Sequence, residues 1–381
     1  MYATLSDLIF DLFGIYIPLP IQTFGFFVAI AFLAAAWVMT QELKRKEAEG
    51  LMKVQLRKVI VGEPVKWSDL VLNGLIAALI GFKLVEGILN YSDLANNPQE
   101  FLLSTRGSWW GAILFAVGSA YMRYREVEKE RLDKPIEKTV EFHPYELVPN
   151  ITTIAALTGI LGAKIFHNLE YPEEFLRDPV EAMLSFSGLT IYGGLIVASI
   201  SLYFYAKKNN IRFMDLADAN ATGLLLGYGI GRLGCHFSGD GDWGIENLAP
   251  KPSFLPDWLW AYSYPNNVIN EGIPIEGCQG AHCFMLENPV YPTSVYEALA
   301  CFLFFGILYG FRKKFTIPGT LFAAYLIVNG IERFTIEKIR VNSTYNIMGF
   351  EPTQAEIISV LFVLTGIGWW MYCRKNFAKK A

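Results

Sequence analysis

Long apolar stretches separated by short polar segments set the pattern of this 381-residue chain. Nine of them approach the roughly 20 residues that cross a bilayer as a helix. They lie at about 20–40, 70–91, 108–122, 150–168, 188–206, 214–234, 293–311, 317–336 and 353–373. The third is the shortest, and the second and fourth each hold a charge. The pattern predicts an all-α polytopic membrane protein with about nine transmembrane helices. It divides the chain into a first span with its linker (1–69), a helical hairpin with a basic linker (70–149) and a core (150–381). An outer loop or cap at about 236–292 belongs to the core.

The hairpin is duplicated. Gly81–Gly107 aligns without gaps on Gly162–Gly188, and seven of 27 positions are identical: Gly81/Gly162, Lys83/Lys164, Pro98/Pro179, Glu100/Glu181, Leu103/Leu184, Ser104/Ser185 and Gly107/Gly188. The two copies run the same way through the membrane. Transporter folds also use repeats, so duplication leaves the function open.

Charge fixes the expected orientation. Only 18% of residues are charged and 53% are hydrophobic, against about 25% charged in soluble domains. Of 32 Lys and Arg, 23 fall in alternate linkers and at the carboxy terminus, five on the opposite side and four within spans. The excess marks the cytoplasmic face, so the amino terminus is expected outside and the carboxy terminus in the cytoplasm. No cation precedes Lys44, so the first span does not read as a cleavable signal peptide with a basic start. The net charge of −4 selects no partner class.

Two of the four cations within spans stand out. Arg232 ends the apolar run Ala217–Leu233, and Arg333 lies in N-G-I-E-R-F-T-I-E-K-I-R, Asn329–Arg340. A guanidinium stays charged at any working pH and is costly in lipid, so the pair points to an anionic ligand, most simply a phospholipid phosphate. Asn329, Arg333 and Glu337 share one helix face at i, i+4, i+8, which lets Glu337 brace Arg333. Gly231 and Gly234 flank Arg232 closely, and the turn glycines Gly239 and Gly241 bring Asp240 near it. Lys83 and Lys164 read as cations snorkelling to the membrane boundary. The expected topology gathers all these groups in the outer half of the membrane. Cys278 and Cys283, in the outer loop, read as a disulfide in an oxidising compartment or, with His282, as a Cys/His set.

The string Gly231–Gly244, G-R-L-G-C-H-F-S-G-D-G-D-W-G, resembles the G-R-x-G-N-F-x-N-x-E signature of bacterial prolipoprotein diacylglyceryl transferases. Four further blocks agree in order: Ile21–Ala29, Ser187–Ile196, Tyr291–Glu297 and Asn329–Arg340, with Gln354 at the family's later M-G-Q. The resemblance covers nearly the whole chain except the first repeat copy, the basic linkers and the outer insertion. It implies transfer of the diacylglyceryl group of phosphatidylglycerol to the lipobox cysteine thiol of a prelipoprotein, with a thioether formed and glycerol 1-phosphate released. It implies no metal, organic cofactor or nucleic-acid partner, and a place in the bacterial cytoplasmic membrane. Seven family spans plus one duplicated hairpin make nine.

The departures fall on proton chemistry. Tyr192 stands where the family has the His of H-G-G, Cys235 where it has Asn, Phe24 where it has a first-span Tyr, and Asp240 in place of its Glu. A thiol with pKa near 8.5 needs a base, and a phenol with pKa near 10 is a poor one. Asp240 or His236 is therefore expected to take the proton. Arg232 and Arg333 would hold the headgroup, with Glu337 orienting Arg333. The alternative is a lipid-binding or transport protein that uses the same cations without chemistry.

Overall fold

The computed structural model describes residues 1–96, 98–184, 188, 190–346 and 349–377. Ser185 of the repeat, Ser187 at the start of the second resemblance block, and the terminal Lys379 and Lys380 lie outside them. The chain is helical. A short helix α1 (Leu5–Phe13) precedes α2 (Thr23–Ala48), and a strand β1 (Gln55–Val61) leads into the first hairpin. That hairpin is α3 (Trp67–Leu89), α4 (Tyr91–Asn96), α5 (Pro98–Leu103) and α6 (Trp109–Lys129). Strand β2 (Ile136–Phe142) leads to the second: α7 (Val148–Glu170), α8 (Pro172–Arg177), α9 (Pro179–Leu184) and α10 (Ile191–Lys208). The remainder is α11 (Phe213–Ser238), the outer cap with α12 (Asp257–Trp260), β3 (Ile273–Pro274) and β4 (Phe284–Met285), then α13 (Thr293–Phe311), α14 (Thr320–Glu337) and α15 (Gln354–Phe377). Among the described residues, five helical segments are long and apolar enough to cross a membrane: Thr23–Ala48, Trp67–Leu89, Pro144–Glu170, Thr293–Lys314 and Gln354–Phe377. This is a multi-pass α-helical membrane protein.

The sequence repeat is a structural one. Each boundary of α3, α4 and α5 recurs 81 residues later in α7, α8 and α9, and the start of α6 recurs 82 later at the start of α10. Both hairpins cross at a glycine pair. A Cβ on Gly81 would lie 2.4 Å from the Gly111 carbonyl oxygen, and one on Gly162 would lie 2.6 Å from that of Gly193. Only hydrogen at those positions lets the backbones meet. The repeated lysines do not snorkel. Lys83 Nζ donates to the carbonyls of Phe101, Ser104 and Arg106 at 2.8, 2.5 and 2.8 Å, closing the α5 turn. Lys164, buried, turns the same way toward the Gly188 carbonyl at 3.4 Å.

The two basic linkers are less irregular than their composition suggests. Q-L-R-K-V-I-V, rich in β-branched residues, pairs antiparallel with Ile136–Phe142, from Gln55↔Phe142 to Val61↔Ile136. The first hairpin therefore hangs from a two-stranded ribbon, and α3 and α6 pack chiefly on each other.

Helix α11 is the axis of the core, with 15 of its 26 residues buried. Its first half packs Leu216 and Ala219 on Met39 and Leu43 of α2 and on Ile151 of α7. Its middle packs Ala221 and Leu225 on Cys301, Leu308 and Leu321 of α13 and α14. At its start, buried Lys46 meets Asp218 at 3.4 Å, and Asp218 accepts from the Gly319 and Phe322 amides. That lock ties α2, α11 and α14 together. A hollow of about 540 Å³ lined by Gln55, Asn210 and Arg212 lies at this end. It is 20 residues, or ~30 Å of helix, from Arg232.

Candidate active site at the end of α11

Three arginines converge on buried carboxylates. Glu297, at the start of α13, has no exposed surface. Its Oε1 accepts from Arg333 Nη1 at 2.6 Å. Its Oε2 lies 2.6 Å from Arg232 Nε and 3.6 Å from Arg340 Nη1, close charge contacts rather than aligned hydrogen bonds. Asp242 clasps Arg232 through one oxygen and Arg340 through the other. Glu337 lies 3.0 Å from Arg333 and 3.9 Å from Arg340, and accepts from Asn342 Nδ2 at 2.6 Å.

The local sequence explains the convergence. Helix α11 ends at Gly239 in the left-handed conformation (φ 67°), and Gly241 (φ 97°) turns the chain again. Side-chain-bearing residues rarely adopt these angles, and together they fold Asp240 and Asp242 back onto the helix end. Thr293 Oγ1 holds the Asp242 carbonyl at 3.1 Å. Gly244 bridges to Arg340, which anchors the loop to the chain leaving α14.

The arginines differ in what they leave free. Arg232 has Glu297 at Nε, Asp242 at Nη1 and the Tyr228 hydroxyl at Nη2, 3.0 Å away, so the structure engages every edge of its guanidinium. Arg333 has a carboxylate on each terminal nitrogen. No partner is described for its Nε, and it is the more exposed of the two, at 16% against 7% of its side chain.

The acidic pair splits in character. Burial pushes Asp242 up, but Arg232 and Arg340 outweigh it and hold the carboxyl at about 2. Asp240 moves the other way: burial, then the charge of Asp242, raises it above the usual carboxylate range. Asp240 Oδ1 accepts from the Asp242 amide at 3.3 Å, and ligand atoms of Asp240, Asp242 and Cys235 lie within 4.8 Å of one another.

Asn329 lies half-buried one turn before Arg333. Gly231 faces open space, where an added Cβ would meet nothing within 4 Å, while a Cβ added to Gly234 would lie 2.8 Å from the Phe27 Cβ. His236 is buried in an aromatic cage, its Nδ1 3.2 Å from the Tyr264 hydroxyl, with Phe237 and Tyr262 against the ring. It shares no described contact with the arginines. Tyr192, half-buried at the start of α10, likewise makes none with them among the described residues. In the cap, Cys278 and Cys283 are joined as a disulfide with Cα atoms 5.6 Å apart.

The family model for prolipoprotein diacylglyceryl transferase matches residues 11–133 and 120–372. The chain belongs to the prolipoprotein diacylglyceryl transferase family. Each matched stretch contains one copy of the hairpin. Among similar proteins is the phosphatidylglycerol–prolipoprotein diacylglyceryl transferase of Shouchella clausii, 29% identical over 272 residues, covering 70% of this chain and 86% of that one. Those of Finegoldia magna (28% over 262 residues, 68% and 88%) and Corynebacterium diphtheriae (27% over 228, 58% and 76%) are similar too.

Sequence reasoning put the diacylglyceryl transferase signature at Arg232 and Arg333 but gave no role to Glu297, Asp242 or Arg340. Glu297 closes the Tyr291–Glu297 block and Arg340 closes Asn329–Arg340, so the signal was the last residue of each block. The pH dependence of the site follows from Asp240. If its carboxylate is the base, activity should fall with acidification earlier than an ordinary carboxylate would dictate. Asp240→Asn should lack activity at every pH; a pH–rate profile unchanged by that substitution would remove Asp240 from the chemistry.

Proposed function

We propose that this chain transfers the diacylglyceryl group of phosphatidylglycerol to the lipobox cysteine thiol of a prelipoprotein. A carbon–sulfur bond forms as the carbon–oxygen bond to phosphate breaks. The thiol proton goes to a base, and glycerol 1-phosphate leaves. The observation that carries the reading is the meeting of Arg232 and Arg333 on Glu297 in one buried cluster. Such a cluster can stabilise charge gathering on a departing phosphate.

In this reading Arg333, with its free edge, receives the phosphate first, and Arg232 stays braced behind it. Asp240 takes the thiol proton, because a carboxylate raised by burial and a like charge is the better base. His236 supports the cap through Tyr264. Residues 150–381 form the transferase core. The nine long helices among the described residues (α2, α3, α6, α7, α10, α11, α13, α14 and α15) cross the bacterial cytoplasmic membrane, with the amino terminus outside and the carboxy terminus in the cytoplasm. The bias of Lys and Arg supports that orientation. It puts the arginine cluster and the disulfide-bonded cap on the outer side, where a lipobox peptide arrives.

The test uses purified protein, phosphatidylglycerol labelled in its acyl chains and a synthetic lipobox peptide. The expected product is labelled peptide that survives hydroxylamine, as a thioether does. Headgroup binding without that product would favour a lipid-binding or transport role instead.

A further inference from the structure

The segment before the first long helix carries an apolar surface that the catalytic reading does not use. Phe10, Leu12, Phe13, Ile15, Tyr16 and Ile17 are each 44–71% exposed. A continuous patch of large apolar side chains facing water is unfavourable and marks a surface with a partner. Polar side chains of the segment bond within it. Thr4 and Asp7 form a capping box, and Asp11 accepts from the Tyr2 hydroxyl. Ser6 Oγ accepts from the Leu19 amide at 2.6 Å, which folds residues 6–19 into a closed loop.

This loop is fastened to the cluster's end of the bundle. The amino terminus donates to the Pro265 carbonyl at 2.5 Å, and the Tyr2 amide donates to the Phe237 carbonyl at 2.8 Å. Phe237 lies five residues beyond Arg232 on α11. On its other side the patch runs into the exposed flank of α2, where Phe24, Phe32 and Leu33 face outward. That flank is membrane-facing surface, so the patch continues it. The segment itself holds no Lys or Arg, and its two carboxylates, Asp7 and Asp11, are engaged by Thr4 and Tyr2.

We propose that residues 5–21 are an interfacial anchor, seated among the headgroups and upper acyl chains of the leaflet that faces the arginine cluster. The occupant of the patch is lipid. A helix that buries one apolar face at this depth binds by apolar area, and its ties to Pro265 and Phe237 set the cluster's mouth at headgroup level. The anchor requires only a membrane protein; its effect on the lipid donor rests on the transferase reading.

Depth can be read directly. The free cysteines Cys235, Cys301 and Cys373 are all buried, so a nitroxide thiol reagent will select Cys introduced as Phe13→Cys or Ile15→Cys. With full-length protein in phosphatidylglycerol vesicles, both labels are expected to be relaxed more by oxygen than by a water-soluble nickel chelate. The reverse order at both positions overturns the anchor. Spin–spin broadening between labels would show a second copy on the patch and overturn lipid as the occupant. The variant Phe13→Glu/Ile15→Glu should raise the apparent KM for vesicle lipid about tenfold while activity on detergent-dispersed lipid holds. Equal KM in vesicles would overturn the link to the donor. Labels at lipid depth in a protein that makes no thioether product would leave the anchor standing and overturn the transferase reading.

Discussion

Arg333→Lys is expected to lower kcat/KM for phosphatidylglycerol by about 10²–10³-fold, the loss typical of removing one preorganised donor to a developing anion. Lysine keeps the charge but presents a point, not a planar fork. In the protein, Arg333 places one terminal nitrogen on Glu297 and the other on Glu337, and no partner is described for its Nε. An ammonium cannot meet two carboxylates in that geometry and still offer a donor to phosphate. The measurement is the initial rate of thioether formation against lipid concentration. Activity within a few-fold of the parent would mean that charge alone suffices and the fork is not used. Arg232→Lys tests something different. All edges of that guanidinium are engaged by Glu297, Asp242 and Tyr228, so its loss should reduce both activity and folding.

The second large effect is on stability. Glu297→Gln keeps the side chain's shape and removes the charge shared by Arg232, Arg333 and Arg340. Breaking a buried ion pair from one side leaves an uncompensated charge and destabilises by about 3–5 kcal/mol. Because the carboxylate has no exposed surface, little solvent can take over its work. The protein carries its own probe: Cys235, Cys301 and Cys373 are buried thiols that become reactive when the bundle opens. A thiol dye followed during heating in detergent should show the variant opening at clearly lower temperature. Coincident curves would show that Glu297 does not hold the cluster together.

What the sequence reveals, and what it hides, follows from contrast. Arg232 and Arg333 are conspicuous because a permanent charge is out of place in an apolar run. The repeat is legible because its glycines and lysines do the same jobs twice, at the Gly81–Gly111 and Gly162–Gly193 crossings and at the turns that Lys83 and Lys164 close. Glu297 is hidden because a carboxylate at the start of an apolar stretch looks like a span boundary. The β1–β2 ribbon is hidden because its strands lie in charged linkers, where Lys58 and Glu137 pair at 3.0 Å on the surface. The place of His236 is hidden for a different reason. Its distance along the helix from Arg232 says nothing of the aromatic cap that folds over it, and that cap is built from Tyr262 and Tyr264 more than 20 residues later.

The ribbon bears on how such a chain grows. Its pairing sets Val61 beside Ile136, so the backbone returns almost to its point of departure after 74 intervening residues. Everything between is an excursion: the thread of the enzyme leaves, traces one of the two hairpins, and resumes its course. A segment spliced in or out at such a crossing would leave the path of the rest undisturbed.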